Sequence, residues 1–227
     1  MSLFTPRLDI LPPPQRRLWK ELRDVPVDFV LYGRTAIALQ LGHRQSIDFA
    51  FFGNRRFDPV ELVRGIPFMA DATITQMEPG TVSANINREE MIKVSFFDVA
   101  DTPRLKPPLI APDNGLQIAS LLDLAGMKAK VVLQRAEAKD YLDIDALLTL
   151  GGLDLPTVLA AARAIYGKTY APLSTLKALS YFDDGNLRQV PGSVRSRLLK
   201  AAREVDLNEL PAIVPYRDKG HDDGKSR

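Results

Sequence analysis

Short apolar runs and turn residues alternate through the first fifty positions of the chain. Residues 27–32 have the pattern of a short buried strand that ends at Gly33, and the Ala- and Leu-rich residues 35–41 favour a helix directly afterwards. Residues 46–52 form a second strand-like run, which is rich in aromatic side chains. The pattern therefore predicts a strand, a glycine turn, a helix and a second strand.

The flanking segments continue this mixed pattern. Apolar side chains recur at helical spacing within residues 15–24, directly after a run of prolines that suits a helix start. Residues 58–65 predict a short helix, with an aspartate in the capping position. Strand-like runs separated by turns then predict an antiparallel meander over residues 72–77, 81–86 and 91–99.

The second half of the chain has a helical period. A proline-rich segment, residues 102–113, predicts a linker or a covering loop. The helices predicted after it span residues 120–135, 138–150, 156–166, 172–181 and 192–204. The predicted fold class is therefore α+β, with an α/β domain over residues 1–115, a helical domain over residues 116–214 and a polar, disordered tail over residues 215–227.

Composition narrows the class of protein. Of the 227 residues, 45% are hydrophobic and 26% are charged, which indicates a globular chain. A net charge of +2 gives no strong field that would attract polyanions, although it does not exclude a local basic patch. The absence of cysteine excludes a thiolate nucleophile, and a histidine count of two, His43 and His221, disfavours a Ser-His-Asp mechanism. No apolar run suits a signal peptide or a membrane span, so we expect a cytoplasmic protein without a membrane partner.

The first two predicted strands carry the candidate chemistry. A glycine turn that leads into a helix start leaves free backbone N–H groups and a positive dipole end, both suited to phosphate. Gly33, Arg34 and Thr35 occupy that turn. The side-chain period of a strand places Asp48 and Ala50 on one face of the second strand, so that face has a single carboxylate.

Two sequence blocks carry a family resemblance. Residues 31–52 read LYGRTAIALQLGHRQSIDFAFF, close to the pattern LxGGTALALxxGHRxSxDxDFF. A second block, DLAGMK at residues 123–128, is followed by Arg135, Lys139, Asp140 and Asp143. Together and in this order, the blocks resemble the nucleotidyltransferase toxins of the AbiEii/AbiGii type, which lie within the polymerase-beta-like superfamily. The resemblance covers most of the chain up to about residue 150 and implies a nucleotidyltransferase-like mixed sheet flanked by helices.

The resemblance also implies an activity and its partners. Members transfer a nucleotide from a nucleoside triphosphate to an acceptor, which for some relatives is tRNA, and are commonly paired with an antitoxin protein. Paired carboxylates would hold magnesium, or manganese, and the candidate metal ligands here are Asp48 and Asp98. Gly33, Arg34 and Thr35 would bind the phosphates of the nucleotide.

Basic residues of the second block complete the implied site. Lys128 would reach the triphosphate as a fixed positive charge, and Lys139 would be a further nucleotide-binding cation. Asp140 would hold Lys128 or Lys139 in place. The resemblance thus implies Asp48, Lys128 and Asp140 as catalytic residues.

The chain departs from the family pattern at the metal site and at the turn. Ala50 stands where the second carboxylate is expected, and Arg34 stands where a second glycine is expected. Arg34 could contact phosphate directly, because guanidinium is a bidentate donor. A third carboxylate could lie at Ser95 or Asp98. Only Asp98 is acidic, and it is out of phase with Ser95 along the strand.

Each candidate residue also has a structural interpretation. Asp48 could be a strand-end carboxylate, and Lys128 could extend its charged end from the core to water. Lys139 and Asp140 could belong to a solvated helix face with ion pairs. We favour function for Lys128 and Asp140, and structure for Asp143 and for His43.

Three functional hypotheses follow. The first is a magnesium-dependent nucleotidyltransferase that uses Asp48 with Asp98 or another acid. The second is a catalytically inactive homologue that binds a nucleotide or a protein partner through the Gly33 turn and Lys128. The third, a general RNA-binding module, is weaker because the chain has no basic stripe with interleaved aromatic residues.

Overall fold

The computed structural model describes residues 4–216, which form a mixed sheet flanked by helices. Its strands are β1 (Phe29–Tyr32), β2 (Phe49–Gly53), β3 (Thr73–Glu78), β4 (Thr81–Asn87), β5 (Met91–Asp98), β6 (Leu109–Ile110) and β7 (Gln117–Ile118). Their spatial order is β3-β4-β5-β2-β1-β7-β6. Strands β3, β4 and β5 pair antiparallel, as the predicted meander requires, whereas β2 pairs parallel with β5.

Helices pack against the sheet and against one another. They are α1 (Pro13–Glu21), α2 (Gly33–Leu41), α3 (Pro59–Gly65), α4 (Leu121–Val131), α5 (Ala138–Thr149), α6 (Leu155–Tyr166), α7 (Pro172–Ala178) and α8 (Gly192–Arg203). Helix α2 contacts β1 and β2 of the sheet and also α4 and α5. It therefore joins the sheet to the helical layer.

The register of the central strands determines where the candidate site lies. Ala50 of β2 pairs with Tyr32 of β1 on one side and with Ser95 of β5 on the other. Neighbouring strands lie about 4.8 Å apart, so these three residues form a short row across the sheet. Helix α2 begins one residue after Tyr32, next to this row.

The predicted α+β class and the mixed sheet are confirmed, and the differences concern element boundaries. Strand β2 begins at Phe49, so Asp48 lies in the approach to the strand and not within it. The helix predicted over residues 120–135 ends at Val131. The proline-rich segment contributes β6 to the sheet, and β7, which the sequence pattern did not indicate, pairs with β1.

The domain boundary predicted at residue 115 stays a prediction. Helices α4 to α8 do follow the sheet in sequence, but β7 lies beyond residue 115 and still belongs to the sheet. The larger hydrophobic core also contains residues from both sides of this boundary, among them Phe51 and Leu147. Of the predicted tail, residues 217–227, including His221, lie outside the described residues, and the Tyr216 N–H donates to the Arg104 carbonyl oxygen at 2.7 Å.

Among the helices of residues 4–216, none is both long and apolar enough to cross a bilayer.

A close helix crossing gives a test of the fold. Helix α4 packs on α6 at Gly126, where an added Cβ would lie 2.8 Å from the Ile165 side chain and 2.9 Å from the Ala161 backbone. Overpacking of this kind costs about 1–3 kcal/mol, which exceeds the roughly 1 kcal/mol that alanine gains over glycine within a helix. We therefore expect Gly126→Ala to lower the free energy of unfolding, measured by urea denaturation.

The control is Gly65→Ala at the end of α3. An added Cβ at Gly65 meets no atom within 4 Å. This variant should be at least as stable as the wild type. Equal stabilities for the two variants would contradict the close approach of α4 and α6.

Candidate functional site

A cleft of about 320 Å³ lies over the row formed by Tyr32, Ala50 and Ser95. Helix α4 supplies Met127, Lys128 and Val131 to the lining. The remaining lining residues are Gly33, Arg34, Ser46, Asp48, Phe49, Phe52, Lys93, Phe97 and Arg135. The cleft thus combines an apolar wall with several cations and one carboxylate.

Aromatic rings form the apolar wall. Tyr32 and Phe52 stack with ring centroids 4.8 Å apart, and Phe97 meets Phe52 edge-on at 5.5 Å. Burial raises the pKa of the Tyr32 hydroxyl well above its usual range, so this ring stays neutral. A wall of neutral aromatic rings suits the flat face of a nucleobase.

The turn between β1 and α2 presents backbone donors to the cleft. Gly33 has φ +76°, a left-handed conformation that favours glycine. Helix α2 begins there, and Tyr32, in the capping position, makes no side-chain hydrogen bond to the free N–H groups. Because Gly33 and Arg34 both line the cleft, the positive end of the helix dipole lies at its edge.

Thr35 stabilises the approach to β2. Its buried hydroxyl donates to the Asp48 carbonyl oxygen and lies 2.7 Å from the Ser46 hydroxyl. Thr35 does not line the cleft, whereas Ser46 and Asp48 do. Thr35 therefore positions the segment that carries Asp48.

Arg34 lies between two carboxylates. Its Nη1 donates to Glu137 Oε2 at 3.2 Å, and its Nη2 lies 3.8 Å from Asp48 Oδ2. Asp48 keeps 45% of its side chain exposed, and Arg34 keeps 27%. The contact with Asp48 is an ion pair without a hydrogen bond, so both groups remain accessible from the cleft.

Two buried carboxylates hold Lys128. Its Nζ lies 2.7 Å from Asp140 Oδ1 and 2.9 Å from Asp143 Oδ2, and both acidic side chains are fully buried. Further hydrogen-bond donors surround the same carboxylates: Arg135 bonds Asp140, and His43 and Arg44 bond Asp143. These six residues are called the buried ion cluster below.

The buried ion cluster keeps its carboxylates ionised. Burial by itself would raise the pKa of Asp143, but hydrogen bonds from His43 and Arg44 and the charge of Lys128 hold it well below its usual range. Burial opposes ionisation of Asp140 too, and Arg135 with Lys128 lowers that pKa below its usual value. Each buried charge therefore has an opposite charge beside it.

The structure brings four predicted site residues to one cleft: Gly33, Arg34, Asp48 and Lys128. Asp140 does not line the cleft but lies against Lys128, which it was predicted to hold. Lys139 is exposed and is not among the lining residues. Its predicted nucleotide-binding role therefore stays a prediction.

Asp98 lies apart from Asp48. It pairs with Gly53, five residues along β2 from Asp48, which corresponds to about 16 Å of strand. Its carboxylate accepts from the Ala100 N–H at 2.8 Å, and it is not among the residues that line the cleft. The structure thus does not bring together the predicted metal pair, Asp48 and Asp98.

The residues around Asp48 do not fit a pair of metal ions. Ala50, two residues after Asp48, has no ligand atom, and Ser95, which pairs with Ala50, has its hydroxyl 2.9 Å from the Ser83 hydroxyl. Magnesium in proteins prefers carboxylate oxygens. Within residues 4–216, no three acidic, histidine or cysteine side chains come together as a metal site. Arg34 faces the one carboxylate instead.

Lys93, Arg135 and Glu137 belong to the site but were not predicted there. Lys93 lines the cleft in phase with Ser95 along β5, so the strand period could have indicated it. Arg135 and Glu137 follow the end of α4, and Glu137 pairs with Arg34 across more than one hundred positions of sequence. No short-range sequence pattern predicts such a contact.

Solved structures identify the class of protein to which this fold belongs. A proposed nucleotidyltransferase from H. pylori matches with a TM-score of 0.53 and 17% identity, over 84% of this chain and 90% of that one. MenT4, a nucleotidyltransferase toxin from Mycobacterium tuberculosis H37Rv, matches with a TM-score of 0.57 and 14% identity, over 86% of each chain. At these identities the similarity shows the nucleotidyltransferase fold.

Sequence comparison then shows the family. The model of the family described as Nucleotidyl transferase AbiEii toxin, Type IV TA system, matches residues 17–213, and the chain belongs to this family. An uncharacterized Aquifex aeolicus protein, aq_aa25, is 33% identical over 159 residues, which are 69% of this chain and 75% of that protein. The resemblance seen in the two sequence blocks is therefore confirmed.

Loss of one buried carboxylate should destabilise the protein strongly. We expect Asp143→Asn to lower the free energy of unfolding by about 3–5 kcal/mol, because Lys128 and Arg44 each lose a buried ionic partner. Urea denaturation at pH 7 measures this change. The control is Asp183→Asn, at an exposed pair with Arg188, which should cost less than about 1 kcal/mol. Similar losses for both variants would contradict the structural role of Asp143.

Acid should remove the stabilisation that the ionised carboxylates of Asp140 and Asp143 provide. The pKa values of Asp140 and Asp143 are lower in the folded protein than in the unfolded chain. Their stabilisation is therefore complete above about pH 4 and is lost as the pH falls through the folded pKa values. Urea denaturation between about pH 5 and pH 3 should show a steeper loss for the wild type than for Asp143→Asn. Parallel losses would count against the ionised carboxylates.

Proposed function

We propose that the protein binds a nucleoside triphosphate in the cleft and transfers its nucleotide to an acceptor hydroxyl. The observation that carries this proposal is the charge of the lining: Arg34, Lys93, Lys128 and Arg135 surround Asp48 next to the start of α2. Phosphates favour cations and free backbone N–H groups, and the aromatic wall gives the base an apolar surface.

Nucleotide transfer forms one bond to phosphorus and breaks another. The acceptor oxygen bonds to the α-phosphorus, the bond from that phosphorus to the oxygen bridging to the β-phosphate breaks, and pyrophosphate leaves with the electron pair. The hydroxyl proton passes to Asp48, the one carboxylate that lines the cleft. Lys128 offsets charge on the triphosphate, and Asp140 and Asp143 fix its position.

Family membership supports a specific acceptor and a specific protein partner. We propose tRNA as the acceptor and a cognate antitoxin as the protein partner, because the chain belongs to a family of toxins of type IV toxin-antitoxin systems. Magnesium or manganese is the cofactor that the family resemblance implied. The donors around Asp48 do not fit a metal pair, so no step is assigned to a metal here.

One observation favours a second function, nucleotide binding without transfer. Ala50 and Ser95 leave Asp48 without a partner carboxylate, and Arg34 pairs with it. Positioning and charge neutralisation supply most of the rate in phosphoryl transfer, so a site with one carboxylate could bind without reacting. In that case the cleft would act as a nucleotide sensor or as a binding module.

A labelling assay separates the two functions. The protein is incubated with labelled nucleoside triphosphates and total tRNA, with magnesium and with manganese, and label in RNA is measured. We expect transfer by the wild type and a loss of at least about a hundredfold in Asp48→Ala, because general-base removal costs about 10²–10⁴ in rate. Transfer that occurs only in Ala50→Asp would contradict an active wild-type enzyme and favour the binding module.

Lys128 and Lys139 give a matched pair of variants in the same assay. Lys128→Ala should abolish triphosphate binding and transfer together, because Lys128 lines the cleft. Lys139→Ala should leave both unchanged, because Lys139 is exposed outside the lining. Equal effects of the two variants would contradict the assignment of the cleft.

A further inference from the structure

Arg34 occupies an unusual position in the cleft, at the start of α2 and beside Asp48. We infer that its guanidinium supplies the fixed positive charge for the triphosphate, so that nucleotide binding in this cleft does not depend on a divalent cation. This inference rests on the proposed function, because it concerns how the same cleft holds the same ligand.

The donor set of the cleft does not suit a divalent cation. A divalent cation bound by the protein needs several oxygen ligands, and two carboxylates usually provide the charge that offsets it. Ala50, two residues after Asp48, and its β5 partner Ser95 add no charge. Asp48 is therefore the one carboxylate that lines the cleft, and the Arg34 guanidinium already pairs with it.

The geometry of Arg34 leaves donors free for a phosphate. A guanidinium has five N–H donors, and Arg34 makes a hydrogen bond to Glu137 at 3.2 Å while Asp48 lies at the longer distance of 3.8 Å. Donors on the side facing Asp48 are thus available to a stronger acceptor. A phosphate can accept two of them side by side, as carboxylates do.

Ion pairs hold the Arg34 guanidinium in place. Glu137, which holds Nη1 of Arg34, also lies 3.6 Å from Arg135 Nε, and Arg135 bonds the buried Asp140. The same Asp140 holds Lys128. Arg34 and Lys128 are therefore connected through one set of ion pairs, which orients two cations towards one cleft before a ligand arrives.

The ion pair between Arg34 and Asp48 changes when a phosphate binds. A phosphate that takes the donors of Arg34 replaces Asp48 as the partner of the guanidinium. Arg34 thus links nucleotide binding to the ion pairing of Asp48.

Isothermal titration calorimetry can test the inference. The full chain is titrated with ATP, GTP, CTP and UTP in turn, once with EDTA and once with magnesium. For the triphosphate that binds, the wild-type Kd should change less than about threefold between the two conditions. Arg34→Gln should weaken binding in EDTA by at least about tenfold, because it removes a charge-assisted bidentate contact. Arg34→Lys keeps the charge but loses the planar guanidinium, so its Kd in EDTA should lie between those of the wild type and Arg34→Gln.

Two further variants serve as controls. Arg64→Gln removes an arginine from an exposed pair with Glu61 and should not change the Kd. The double variant Arg34→Gly with Ala50→Asp replaces the guanidinium with a second carboxylate beside Asp48. Its binding should require magnesium and be at least about tenfold weaker in EDTA. Thermal unfolding of each variant checks that the fold is intact.

The outcomes separate this inference from the proposed function. Binding by the wild type only with magnesium, or an unchanged Kd in Arg34→Gln, would overturn the role of Arg34 and leave the nucleotide site in place. No binding of any of the four triphosphates in either condition would overturn the proposed function itself. Metal-independent binding that requires Arg34 supports the inference.

Discussion

The site depends on the ion pairs that hold Lys128 between two buried carboxylates. Transferring these charges from water costs several kcal/mol per ion, so the arrangement is stable only because every charge has an opposite charge next to it. Asp140 and Asp143 lie on α5, Lys128 lies on α4, and His43 and Arg44 follow α2. The buried ion cluster therefore joins three segments at the cleft and fixes Lys128 relative to the sheet.

The same ion pairs connect the two walls of the cleft. Arg135 bonds Asp140 and lies near Glu137, and Glu137 in turn bonds Arg34 opposite Asp48. Cations and anions thus alternate from the helical layer to the start of β2.

Family membership and site chemistry answer different questions. In this chain the fold positions a glycine turn, a strand and the helix that carries Lys128 around one cleft. Ala50 contributes a methyl group to that cleft where the family pattern has a carboxylate. The reaction that such a fold can perform therefore depends on the side chains in its cleft.

The sequence by itself determined the α+β class, the order of most elements and the family. It also placed Gly33, Arg34, Asp48 and Lys128 in one site, because periodicity, turn residues and family blocks are local signals. The tertiary structure alone decided that Asp98 lies at the end of β5, paired with Gly53 and away from Asp48, that Lys139 is exposed, and that Lys93 and Glu137 take part. These facts depend on strand register and on ion pairs between distant segments, and neither is encoded in a short stretch of residues.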